Sequence, residues 1–171
     1  MKILITGKPG CGKTTLCKKI IEALEDWEVG GIISAEIKEE GTRIGFNIMD
    51  LKTGEEGTLA HILGSGPRVG KYRVNLQDLN VIGAGAIERA AHSCDLVVID
   101  EIGPMELHSD AFIRAVRQAF EAPVNVLATI HYRSRHPFVE ELKHRRDVRL
   151  YEIHEGNRES VLKEILELLH P

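Results

Sequence analysis

Eight residues, Gly7-Lys8-Pro9-Gly10-Cys11-Gly12-Lys13-Thr14, have the types and the spacing to hold a phosphate. They fit the pattern G-x-x-x-x-G-K-[ST]. Glycines at these positions let successive backbone N–H groups turn inward around an anion. A helix starting where the loop ends adds unpaired N–H groups and the positive end of its dipole. Lys13 has the reach to meet β- and γ-phosphates, and Thr14 offers its hydroxyl to Mg²⁺. Cys11 is a spectator, because the backbone does the work here. The β-type run Lys2-Ile3-Leu4-Ile5-Thr6 leads in and the helical run Thr14 to Ile21 leads out. That context separates the segment from a chance glycine-rich turn capping a helix.

A loop of this kind needs an acidic complement, and Leu96-Val97-Val98-Ile99-Asp100-Glu101 has its form. Four apolar residues read as a buried strand that delivers a carboxylate to its C-terminal end, where ligands bind in open α/β sheets. Asp100 is positioned to hold Mg²⁺ through bound water, which suits a cation reluctant to dehydrate. Glu101 can point toward a γ-phosphate and orient or deprotonate an attacking water. The competing account makes both acids loop caps ahead of Pro104. A second carboxylate beside the metal-holding one favours water activation over transfer to a substrate hydroxyl, by analogy at the level of fold. No N-K-x-D segment selects guanine, so loose base preference is expected.

Further candidates lie at the rim. Thr129 and His131 end the apolar run Val126 to Ile130 and could sense a γ-phosphate or position water; His131 could equally be an ordinary strand-end residue. Arg133 or Arg135 could stabilise charge on the transferring group. With Lys143, Arg145, Arg146 and Arg149 these arginines form a basic cluster that could contact RNA. Glu140, Glu141 and Asp147 interrupt it and no aromatic stacking pattern accompanies it, which favours a solvated lid and helix face. Glu36, Lys38 and Arg43 either face a nucleotide or are charges protecting a sheet edge.

These groups must be carried by a framework, and the chain alternates apolar with amphipathic runs, the pattern of parallel strands joined by helices. Leu16, Ile20, Ile21 and Leu24 mark the inner face of a first helix. Ile32–Ile37 and Arg43–Leu51 read as strands around a turn at 39–41. Gly57–Ile62 pairs back, and Val69–Val74 reads as one short strand. Together residues 31–74 are expected to form a small antiparallel insertion on an edge of the sheet. Asn75 caps a helix to about Ser93, weakened by Gly83 and Gly85. Ser109 caps the next, with Phe112, Ile113, Val116 and Phe120 inward. Val124–Ile130 is a buried strand, Pro137–Lys143 a short helix and Val148–Ile153 a strand. Asn157 caps a last helix bearing Val161, Leu162, Ile165, Leu166 and Leu169.

Composition sets the outer limits. The 171 residues are 43% hydrophobic and 28% charged, enough for one domain with a proper core. The net charge of −4 gives no overall drive toward nucleic acid or acidic lipid. Lys2 is followed by only three apolar residues before Thr6, so no secretory signal is expected, and no apolar run approaches the roughly 20 residues of a membrane span. Three cysteines without C-x-x-C argue against a disulfide framework or a zinc site and point to a reducing cytoplasm. No apolar helix face is left over, so a monomer is expected.

Several segments together resemble a known family. They are the loop Gly7–Thr14, the run Asp100-Glu101-Ile102-Gly103-Pro104-Met105-Glu106-Leu107, Thr42-Arg43-Ile44-Gly45-Phe46, Val69-Gly70-Lys71-Tyr72 and Asn157-Arg158. The chain is similar over nearly its whole length to the thermophile-type nucleoside-triphosphatases of the P-loop superfamily, a group related to the human cancer-related nucleoside triphosphatase. The resemblance implies a RecA-like α/β fold with a mostly parallel sheet flanked by helices. It implies Mg²⁺-dependent hydrolysis of ATP, GTP, CTP, UTP and TTP, weaker on diphosphates. It implies nucleotide contacts from Gly7, Lys8, Pro9, Gly10, Cys11, Gly12, Lys13 and Thr14, and from Leu96, Val97, Val98, Ile99, Asp100, Glu101, Ile102 and Gly103. Lys38 stands where the family pattern carries Arg, giving a point charge without a bidentate fork. Two other functions fit the residues: phosphoryl transfer to a nucleoside, nucleotide or RNA hydroxyl, and nucleotide-gated RNA binding through the basic segment.

Overall fold

The computed structural model describes residues 1–170. The chain runs β1 (Lys2–Thr6), α1 (Lys13–Ala23), β2 (Val29–Glu39), β3 (Thr42–Asp50), β4 (Glu56–His61), β5 (Arg68–Val69) and β6 (Tyr72–Val74). A continuous helical stretch follows, made of α2 (Leu76–Asp78), a π-helical segment (Leu79–Ala84) and α3 (Gly85–Ser93). Then come β7 (Leu96–Ile102), a 3₁₀ turn (Glu106–His108), α4 (Asp110–Glu121), β8 (Asn125–Ile130), α5 (Pro137–Lys143), β9 (Val148–Glu152) and α6 (Arg158–Leu169).

All strands join one sheet in the order β5-β6-β4-β3-β2-β7-β8-β1-β9. From β2 to β9 the pairing is parallel; from β2 outward through β3, β4, β6 and β5 it is antiparallel. The central parallel strands β1, β7 and β8 are buried on both faces, which is why they read as apolar runs. Their side chains alternate between two cores. Leu4, Val97, Ile99, Val126 and Ala128 meet α3, α4 and α5 on one side. Ile3, Ile5, Leu96, Val98 and Leu127 meet α1 and α6 on the other.

Parallel pairing puts the C-terminal ends of β1, β8 and β7 on one edge, with β8 between the other two. That topology brings Thr6 and its following loop, Thr129, and Asp100 together although they are far apart in sequence. The β1 strand is also tied down at its start. The Lys2 ammonium, 7% exposed, donates to the carbonyls of Ala119, Ala122 and Val124 at the C-terminal end of α4 and beyond it.

Three expectations are corrected. Residues 69–74 form the turn and strand of a hairpin, with Gly70 at φ +59° making the turn between β5 and β6. The antiparallel strands lie on one edge of the sheet as expected, but the strand leading into them starts before residue 31: β2 begins at Val29 and pairs with β7 over Val29–Ile33 before continuing outward beside β3. Gly31 permits this, since it adopts φ +107° and a side chain there would run into the backbone of Val98. Asn157 precedes α6 but does not cap it; its amide instead joins His154 N–H and the Glu152 carbonyl. Asn75 and Ser109 do cap their helices, accepting from the N–H of Asp78 and Phe112.

Candidate active site

The loop between β1 and α1 closes tightly because two of its glycines are left-handed, Gly10 at φ +78° and Gly12 at φ +96°. Lys13 folds back over the loop, its ammonium donating to the Gly7 carbonyl at 2.9 Å. Thr14, in the first turn of α1, donates its hydroxyl to Asp100 Oδ2 at 2.7 Å. Thr129 at the end of β8 donates to the other carboxylate oxygen, Oδ1, at 2.6 Å. Ser34 on β2 donates to the Asp100 carbonyl at 3.2 Å. Asp100 is 3% exposed, so hydroxyls from three neighbouring segments fix its position and satisfy it.

A cleft of about 380 Å³ opens above this arrangement. The phosphate loop and α1 contribute Gly10, Gly12, Lys13, Thr14 and Thr15; β2 and β3 contribute Ser34, Ala35, Glu36 and Phe46; β7 contributes Asp100 and Glu101. Burial raises the Glu101 carboxyl above the ordinary carboxylate range; nearby Asp100 adds to this, while Lys13 and His131 oppose it. Behind it Glu106 is 4% exposed, and burial followed by the field of Glu101 pushes its carboxyl up to about 8. Glu106 Oε1 accepts the Gly103 N–H at 3.2 Å.

The oxygen donors at the centre, the Thr14 hydroxyl and the Asp100 carboxylate, suit a hard cation. Among the described residues, no group of three or more His, Cys, Asp or Glu is placed to hold a metal ion by itself. A cation here therefore needs ligands from a bound phosphate and from water.

The chain's own residues divide unevenly over this geometry. Gly10, Gly12, Lys13, Thr14, Asp100 and Glu101 converge on the cleft. Leu96, Val97, Val98 and Ile99 are fully buried and carry the carboxylates to the edge without reaching it. Thr129 is also fully buried, and its hydroxyl is engaged by Asp100. His131 lines an adjoining chamber with Glu101. Arg133 and Arg135 are exposed and border a different hollow, with Thr6, Tyr132 and Glu152. Lys143 and Arg145 are paired locally, with Glu140 at 3.5 Å and Asp147 at 2.9 Å. Lys38 is exposed and pairs with Glu36 at 3.5 Å outside the cleft.

Sequence reading missed the roles of Ser34, Phe46 and Arg158. Arg158, the first residue of α6, leans on the phosphate loop so closely that a side chain at Gly12 would collide with its guanidinium. The signal lay in the pair Asn157-Arg158, but only the fold shows that it abuts Gly12.

The family model described as NTPase matches residues 2–166. The chain belongs to this NTPase family. Its NTPase relatives include the nucleoside-triphosphatase THEP1 of Thermotoga sp. (strain RQ2), 52% identical over 170 residues, covering 99% of this chain and 95% of that one. THEP1 of Methanosarcina acetivorans is 48% identical over 168 residues, covering 96% and 94%. Among solved NTPase structures, the crystal structure of THEP1 from the hyperthermophile Aquifex aeolicus superposes with TM-score 0.89 at 38% identity over the full length of both chains. The solution structure of a human cancer-related nucleoside triphosphatase gives 0.82 at 34%, covering 98% and 96%. The α/β fold, with a mostly parallel central sheet flanked by helices, is shared with these two solved structures.

Among the described residues, no helix is long and apolar enough to cross a membrane.

Proposed function

We propose that this member of the NTPase family is a Mg²⁺-dependent nucleoside-triphosphate phosphohydrolase tolerant of the base, acting on ATP, GTP, CTP, UTP and TTP and more weakly on diphosphates. The observation that supports it most is the single cleft shared by Lys13, Thr14, Asp100 and Glu101. The loop amides and Lys13 bind the β- and γ-phosphates, and on binding Lys13 exchanges its Gly7 carbonyl for phosphate oxygen. Thr14 and Asp100 are the residues that would hold Mg²⁺ beside them, and the ion would supply positive charge against the β- and γ-oxygens. Glu101 accepts a hydrogen bond from the attacking water and takes its proton, and its raised affinity for protons makes it a better base than a free carboxylate. Thr129 keeps Asp100 oriented. A monomer in a reducing cytoplasm is the working state we assign; free Cys11, Cys17 and Cys94 are compatible with it.

Phosphate release from the five triphosphates with Mg²⁺, and with EDTA in its place, tests the proposal. Comparable turnover on all five, lost with EDTA, is the expected result. Turnover confined to one base, or unaffected by EDTA, would refute base tolerance or metal dependence respectively.

A further inference from the structure

Glu101 is a wall between two cavities. On its far side from the phosphate loop lies a second chamber of about 320 Å³, which contains no residue of Gly7–Thr14. The two cavities share Ser34, Phe46 and Glu101 and nothing else. With a triphosphate seated as proposed above, the chamber opens beyond its γ-phosphate end, where the attacking group must stand.

Its walls are not those of a water site. A water's share of volume is about 30 Å³, on the order of a tenth of this space. Phe46, Leu59, Val69, Tyr72 and Met105 make it largely apolar and lined by rings. The rings of Phe46 and Tyr72 meet edge to face, with centroids 5.3 Å apart. Arg43 is caged against both, 5.0 Å and 5.7 Å from their centroids. Its Nε donates to the Tyr72 hydroxyl at 2.9 Å and its Nη1 to Glu36 at 3.2 Å. Glu106, 4% exposed, lines the floor with one oxygen engaged by Gly103. Burial keeps that carboxyl protonated at neutral pH, so it can donate a hydrogen bond. An apolar cavity with a few fixed polar groups is the usual form of a small-molecule site.

We propose that this chamber binds a small, uncharged, ring-bearing alcohol, and that the γ-phosphoryl group is transferred to its hydroxyl. The proposal rests on the triphosphate site described above. The flat body packs between Tyr72, Phe46 and Met105, and ring heteroatoms meet Arg43 and Glu106. The hydroxyl lies at Glu101. A charged acceptor such as a nucleotide is disfavoured by the Glu101 carboxylate, because Arg43 is already paired with Glu36 at 3.2 Å and, among the described residues, His131 is the one other basic side chain lining the chamber. In the transfer step the alcohol oxygen bonds to the γ-phosphorus. The bond from that phosphorus to the β,γ-bridging oxygen breaks, and its electron pair leaves with the nucleoside diphosphate. The alcohol proton passes to the Glu101 carboxylate and then to solvent. Alcohol and triphosphate give a phosphate monoester and a diphosphate, with no oxidant or reductant. Water takes the same path when the chamber is empty.

The test is partition of label from γ-³²P-ATP, with Mg²⁺ and 3-pyridinemethanol or benzyl alcohol as probes and AMP as the charged control. The expected result is a labelled monoester of the alcohols, none of AMP, and amide shifts at Val69–Tyr72 and Met105 when probe is added to ¹⁵N-labelled protein. Val69→Trp, which fills the chamber, should lower the ester-to-phosphate ratio at least tenfold. Phosphate release without any ester or probe-induced shifts overturns the acceptor site and leaves the hydrolase reading standing. An unchanged ratio in Val69→Trp also overturns it. Absence of all turnover refutes the hydrolase reading and this proposal with it.

Discussion

Lys13 and Glu101 line the same cleft, and their substitution should separate binding from chemistry. Lys13→Ala removes the only side-chain cation the phosphate loop turns into the cleft. Both nucleotide affinity and turnover should fall, with kcat/KM down on the order of 100-fold or more. Glu101→Gln keeps the shape and removes the base. Nucleotide binding should persist by calorimetry while kcat drops ~100- to 10,000-fold, the usual worth of a general base; parental kcat would remove Glu101 from the mechanism. Glu106 makes a different prediction. A glutamate in the unfolded chain titrates near 4.5, whereas the folded protein holds this proton to about 8. Between those values the native state carries the extra proton. Its contribution to stability is therefore fully present below about pH 4.5, declines by about 1.4 kcal/mol per pH unit, and levels off above about 8. Glu106→Gln retains the acceptor for Gly103 N–H and has no proton to lose. Urea unfolding at pH 5, 6.5 and 8 should show its advantage over the parent growing with pH; a constant difference would refute the burial argument.

At the level of elements, what was legible in the sequence was whatever local pattern fixes. β1, α1, β7, α4 and β8 were readable because an apolar run or a 3.6-residue stripe decides each without help from elsewhere. The Ser109 cap was readable because its hydroxyl answers an N–H three residues on. The start of β2 was not. Gly30-Gly31 looks like a break, yet both residues pair with β7, and Ala90 and Cys94 beside Gly30 and the Val98 backbone beside Gly31 leave no room for a side chain. The β5–β6 hairpin was too short to show its turn. Within the site, Lys13, Thr14, Asp100 and Glu101 were legible because their spacing is their chemistry. Ser34, Phe46, Arg158 and the pairing of Thr129 with Asp100 depend on which strands become neighbours, and no local pattern encodes that. Gly31 yields the sharpest test. Gly31→Ala asks for a left-handed alanine whose methyl meets β7 backbone. The cost should be on the order of 3 kcal/mol in urea unfolding, and a loss below ~0.5 kcal/mol would mean that β2 and β7 can part without penalty.

Over the whole molecule, the sheet separates two hydrophobic cores that meet no common helix. The Lys2 ammonium ties the first strand to one of the two layers, holding three carbonyls where α4 gives way to β8. Burial also lowers its affinity for a proton, an effect Arg145 strengthens and Asp147 weakens. Chemically, that makes Lys2 an amine concealed from reagents. In trace acylation with an N-hydroxysuccinimide ester, peptide mapping should find Lys18 and Lys19 on exposed α1 modified early and Lys2 last, gaining label only when denaturant opens the fold. Its labelling rate would then serve as a site-specific clock for global opening; early modification of Lys2 in the native protein would show that the clasp is loose.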